Sequence, residues 1–150
     1  MKKLISALLI CMMIFTLTGC QEERTVIMSM SNYDGKHEIQ IEAVGNEVKK
    51  ITQTSTLEIE GYSETQINEI VADLEEEHAS LTKGITFSVK HENSTLIKTY
   101  TLDATNKFAI EAANGYGFFS FNAGTKKITL KNYLTEMKSK GFTIIEETKK

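Results

Sequence analysis

Few residues in this chain have a type and spacing that could do chemistry, and the most distinctive is a cysteine. Leu17-Thr18-Gly19-Cys20 closes an apolar run, and Gln21-Glu22-Glu23-Arg24 follows at once. The other cysteine, Cys11, lies inside the run. There are three histidines, no thiol pair and no His-Glu-x-x-His, so nothing has zinc-site spacing and no metal or cofactor is expected. The only aspartates are Asp34, Asp73 and Asp103, too few and too far apart for a calcium loop. Gly115-Tyr116-Gly117 begins a dinucleotide-type turn, but Ser120 stands where the third glycine belongs. No nucleophile elbow and no phosphate-cradling loop occurs.

What precedes Cys20 explains the thiol. Lys2 and Lys3 stand ahead of Leu4 to Leu17, a run interrupted only by Ser6 and Thr16. About 14 residues rise roughly 21 Å as a helix, short of a bilayer core of about 30 Å. A core helix would show a polar face, and this run has none. A positive start, a short apolar centre and small residues at the end describe a secretory signal peptide.

Leu17-Thr18-Gly19-Cys20 resembles the bacterial lipobox: a leucyl residue, two small residues, then cysteine. That resemblance implies a diacylglyceryl group on the Cys20 thiol and cleavage just before it. Residues 1–19 are then the leader, residues 20–24 an acylated cysteine with a short tether, and residues 25–150 one domain. A mature chain with a single cysteine cannot form an internal disulfide, and acylation removes an exposed thiol. After Cys20 the chain carries 15 Lys and Arg against 20 Asp and Glu, a formal −5. Such acidity argues against nucleic acid, and it predicts that the fatty chains alone, with no basic patch, hold the domain to a membrane. The expected location is the extracytoplasmic face of a cell membrane.

The elements that must position any site follow from periodicity. Val26, Met28 and Met30 alternate with Ile27, Ser29 and Ser31; Asp34-Gly35 signals a hairpin; and Ile39, Ile41 and Ala43 return. Gly45-Asn46 punctuates before a third extended stretch from Val48 to Ile59. Ser63 and Gln66 make a capping box for a helix whose stripe is Ile67, Ile70, Val71, Leu74, His78 and Leu81. Ile85 to Val89 and Thr95 to Leu102 pair around a turn at His91 to Ser94. A second helix is expected from Leu130 to Lys140, with Gly141 as its stop and an edge strand from Phe142 to Ile145. With no proline and no linker, the expected fold class is α+β: a mainly antiparallel β-sheet with two α-helices packed on it.

The lipobox, the hairpin strand Gly35 to Ala43, the capped acidic helix, "KGITFSVKHENSTLIKTYTLDA" and the closing "ITLKNYLTEMKSKGF" together resemble the YehR-like lipoproteins. These are small bacterial lipoproteins with a domain of unknown function. The resemblance covers most of the chain after Cys20 and is thinnest from Thr105 to Gly124. It implies a lipid-anchored α+β domain and carries over no activity and no site residues.

Two places remain as candidate surfaces. In "ANGYGFFSFNAG", Tyr116, Phe118, Phe119 and Phe121 crowd between glycines. They form either a loop offering aromatic area to a ligand or partner, or a buried strand with Phe119 and Phe121 inward. His78, beside Glu75, Glu76 and Glu77, is either a titrating group or a hydrogen-bonded residue of the helix's apolar stripe. The expected function is non-enzymatic binding of a small ligand or an envelope protein. Its rival is an enzyme whose site gathers scattered residues such as His78, Glu42 and Asp103.

Overall fold

A computed structural model describes residues 21–117, 119, 121 and 124–150. The expected leader, residues 1–19 with Leu17, Thr18 and Gly19, and Cys20 lie outside the described residues, as does Phe118. The element order is β1 (Glu23–Asn32), β2 (Gly35–Val44), β3 (Glu47–Glu58), α1 (Glu64–Glu77), β4 (Ile85–Glu92), β5 (Thr95–Asp103), α2 (Lys107–Tyr116), α3 (Leu130–Ser139) and β6 (Thr143–Lys149). Six strands form one open antiparallel sheet in the order β4-β5-β3-β2-β1-β6.

The α+β expectation holds, with one helix more than periodicity revealed. α2 occupies part of the stretch read as loop or buried strand. Asn106 caps it by accepting from the Phe108 and Ala109 amides, and Gly117 ends it at φ 73°. Its buried stripe is Ala109, Ile110 and Ala113. Small alanines let it lie close to the sheet, and that is why its apolar pattern is faint. α1 has the expected capping box, with Ser63 Oγ accepting from the Gln66 amide and Gln66 Oε1 from the Ser63 amide.

The turns follow the glycines with one shift. Tyr33-Asp34 form the first turn and Gly35 opens β2 at φ 126°, where a Cβ would lie 2.2 Å from the Thr56 carbonyl oxygen. The β4–β5 turn places Asn93 and Ser94 at φ 47° and 62°, the left-handed pair of a type I′ hairpin.

Alternation sends one side of every strand under the helices. Val26, Met28, Ile39, Ile41, Ile51, Leu102 and Ile85 meet Ile110 of α2 and Leu130, Tyr133 and Met137 of α3 in one core. Cross-strand pairing rows Ile85–Leu102–Ile51–Ile41–Val26 across five strands. Every one of these side chains is buried. Among the described residues, no helix covers the opposite face. It presents hydroxyl rows, Thr86–Thr101–Thr52 and Ser88–Thr99–Thr54, the half-solvated side of an antiparallel sheet.

Candidate functional site

The aromatic stretch after α2 folds back against α3. Phe119 is buried in the core at 2% exposure, so it offers no surface, while Phe121 is half-buried. Their rings are near-parallel, with centroids 6.1 Å apart, and the Phe121 ring lies 5.8 Å from that of Tyr133. Tyr116, at the end of α2, is exposed and its hydroxyl lies 3.2 Å from Thr82 Oγ1. These aromatics therefore divide between core and surface.

Phe121 and Tyr133 border a recess of about 100 Å³, completed by Thr125, Lys127, Ile128, Thr129, Asn132 and Glu136. Burial, with Glu136 nearby, raises the Tyr133 hydroxyl far above the ordinary phenol range, so it stays neutral. The recess combines two ring faces, a lysine, a carboxylate and an amide. It fits one side chain or a few waters; pockets for small organic ligands run to roughly 300–1,000 Å³.

His78 is fully engaged on the helix-covered side of the sheet. It is the C-cap of α1, and its Nδ1 lies 2.7 Å from the Leu74 carbonyl oxygen. A carbonyl only accepts, so Nδ1 donates; in the neutral ring Nε2 then accepts from the Tyr100 hydroxyl at 3.0 Å. The ring stacks on Phe87 at 4.1 Å and 24°, and Tyr100 closes the cluster edge-on. Burial first, and Glu77 second, hold the Tyr100 hydroxyl above its ordinary value. These are the contacts of a hydrogen-bonded packing residue.

The enzyme constellation read from sequence is not assembled. Glu42 and Asp103 flank Lys50 on the open side of the sheet, and Glu42 takes its ammonium at 2.8 Å. His78 lies on the helix side, with the sheet between. Asp103 accepts from the Thr105 hydroxyl and amide, which lower its carboxyl. Among the described residues no group of three or more His, Cys, Asp or Glu is placed to hold a metal ion.

Periodicity missed a polar row on the helix side. Met30, His37, Ser55, Lys98 and Val89 are successive cross-strand partners. His37 Nδ1 lies 3.0 Å from Ser55 Oγ, and Ser55 is 9% exposed. The strand register would have revealed the pair, since a turn at Gly45-Asn46 brings β2 against β3. Toward the same end, Ser31, Tyr33, Lys36, Leu57, Glu58 and Thr95 border an open depression of about 570 Å³, with Tyr33 97% exposed.

No protein family's profile matches the chain, and no curated protein matches it. Two solved structures do. The NMR structure of the Escherichia coli YehR protein superposes with a TM-score of 0.60 at 18% identity, covering 85% of this chain and 93% of that one. The NMR structure of a protein from Streptococcus pneumoniae TIGR4 gives 0.58 at 13%, covering 82% and 84%. The chain has a YehR-like fold, and likeness at these identities concerns the fold alone.

Proposed function

We propose that this chain is a lipid-anchored, extracytoplasmic domain that acts by binding, without catalysis, and that its partner is an envelope protein. One observation carries the anchor: Leu17-Thr18-Gly19-Cys20 stands at the end of a charged-then-apolar leader. Support comes from the placement of β1, which starts at Glu23, so only Gln21 and Glu22 separate its first residue from the cysteine. The preference for a protein partner rests on exposed aromatic area. Tyr33 stands 97% exposed beside the larger depression, and the recess beside Tyr133 suits one inserted side chain.

The test is an intact-mass measurement on protein extracted from membranes. The reading expects a chain that begins at Cys20 and carries fatty acyl mass there. A chain that begins at Met1, or an unmodified Cys20 thiol, refutes it. For the partner, a photo-crosslinking residue at Tyr33 should give one discrete protein adduct in intact cells; a ladder of unrelated adducts counts against a specific partner.

One observation favours the enzyme reading, the His37–Ser55 contact, because a serine held by a histidine is the pairing of nucleophilic catalysis. An active-serine fluorophosphonate probe decides it. Labelling lost in both Ser55→Ala and His37→Gln would install a hydrolase; absence of labelling removes it.

A further inference from the structure

We propose that the end of the sheet from which the chain leaves toward Cys20 is a docking face for anionic phospholipid headgroups, and that it holds the tethered domain in one orientation. The proposal rests on the anchor reading, which brings a bilayer within reach but leaves open which side of the domain meets it.

The three residue steps from Cys20 to Glu23 span at most about 11 Å, so an anchored chain keeps the Glu23 end of β1 close to the headgroups. Hydrogen bonding determines what else gathers there. β6 ends beside it, where Lys149 pairs with Arg24 and the Lys150 amide donates to the Glu23 carbonyl. Lys49 and Lys50 lie near the start of β3, and the Lys49 carbonyl takes the Ala104 amide. The Asn106 side chain donates to the Lys83 carbonyl, which places Lys83 beside Lys107 at the start of α2. The Val48 amide donates to Ile128 and the Leu130 amide to Asn46, which brings in Lys126, Lys127 and Lys131.

This end therefore holds ten of the fifteen Lys and Arg that follow Cys20. Opposite them stand six carboxylates, Glu22, Glu23, Glu42, Glu47, Asp103 and Glu147, for a formal +4. The rest of the chain after Cys20 carries five cations against fourteen carboxylates, −9. The acidic total of −5 hides this segregation. Lys83, Lys126, Lys131 and Lys150 enter no ion pair among the described residues. α2 and α3 also begin here and direct their positive dipole ends this way, while α1, with Glu75, Glu76 and Glu77 in its last turn, ends toward it.

One apolar group completes the face. Phe108, in the first turn of α2, is 66% exposed, with the Lys107 ammonium 5.3 Å from its ring centre. An exposed ring beside lysines is the composition of segments that rest in the headgroup layer. A bilayer against this end leaves Tyr33, Tyr62 and most of the carboxylates facing away from the membrane.

The test needs no lipid anchor, so it is independent of what happens at Cys20. Residues 21–150 contain every core residue among those described and serve as the protein. Vesicles of phosphatidylcholine, alone or mixed with phosphatidylglycerol, are sedimented with it. The proposal expects cosedimentation with the mixed vesicles only, weakening as salt shortens the screening length. Lys126→Glu, Lys131→Glu and Lys150→Glu should each reduce the bound fraction about fivefold, and Phe108→Ser by a similar factor. Lys36→Glu with Lys90→Glu, at the other end, should change nothing. Equal binding to both vesicle types, no binding to either, or equal loss from the two sets of substitutions overturns the proposal. Acylated Cys20 with no headgroup preference would leave the anchor standing and remove only the orientation.

Discussion

Near the Glu23 end of the sheet, Val26, Ile41, Ile51, Leu102 and Ile85 make a wholly buried row beneath the helices. Four residues along the same strands, the same face carries Met30, His37, Ser55, Lys98 and Val89, which keep only Ser55 buried. Beyond that row, Ile67 of α1 and Leu96 of β5 are buried apart from the main core. One end thus combines a dry interior with a cationic rim, and the other combines polar packing with a mostly acidic rim. The comparison teaches that one face of one sheet is fully dry at the end with the cationic rim and only half-buried and polar at the other. Segments that bind partners are commonly drawn from the less stable part of a fold.

The largest effect should come from cutting into the dry row. Leu102→Ala should lower unfolding free energy by about 2–5 kcal/mol, while Leu57→Ala, on a half-buried side chain at the far end, should cost under about 2 kcal/mol, both read by urea denaturation. Equal costs would erase the distinction. Gly35→Ala ranks next. Its Cβ would lie 2.2 Å from the Thr56 carbonyl oxygen at φ 126°, so a loss of about 2 kcal/mol is expected, with faster amide exchange confined to the β1–β2 hairpin. Smaller and of opposite sign, Ser94→Gly should raise stability by up to about 1 kcal/mol, because Ser94 is held at φ 62°.

Smallest is a pH effect at the cationic rim. Glu47 is held below the ordinary carboxylate range by hydrogen bonds from Lys49 and Lys127, and Glu147 by Arg24. A carboxyl whose pKa is lower in the folded chain favours folding above its unfolded pKa and loses that contribution as pH falls through the folded value. Melting temperature should therefore drop as pH falls below about 4.5, and Glu47→Gln should make that drop shallower. An unchanged slope would show that the rim's ion pairs are too solvated to matter.

Much of this architecture was legible because each strand alternates cleanly and each boundary has a chemical cause. Ser63 and Gln66 announced α1, Gly141 ended α3, and Asn93-Ser94 turned β4 into β5. α2 was hidden for a physical reason: alanines supply close packing but little apolar contrast, and the aromatics from Tyr116 to Phe121 read as a loop or a buried strand. The charged and polar features were hidden more deeply. Lys83, Lys107, Lys126 and Lys149 are scattered along the chain, and only strand register and two helix starts collect them at one end. The His37–Ser55 contact likewise exists only across β2 and β3. Composition reports a sum, whereas recognition depends on where the contributions lie.

The anchor is the premise on which both ends acquire an orientation, and it is directly measurable. Cells producing the parent chain or Cys20→Ala are extracted with a detergent that separates into lipid-rich and aqueous phases on warming. The account predicts the parent in the detergent phase, labelled by an alkyne analogue of palmitate, and any leader-free Cys20→Ala protein in the aqueous phase without label. A Cys20→Ala protein that loses its leader at the same bond and still partitions with the parent would contradict it.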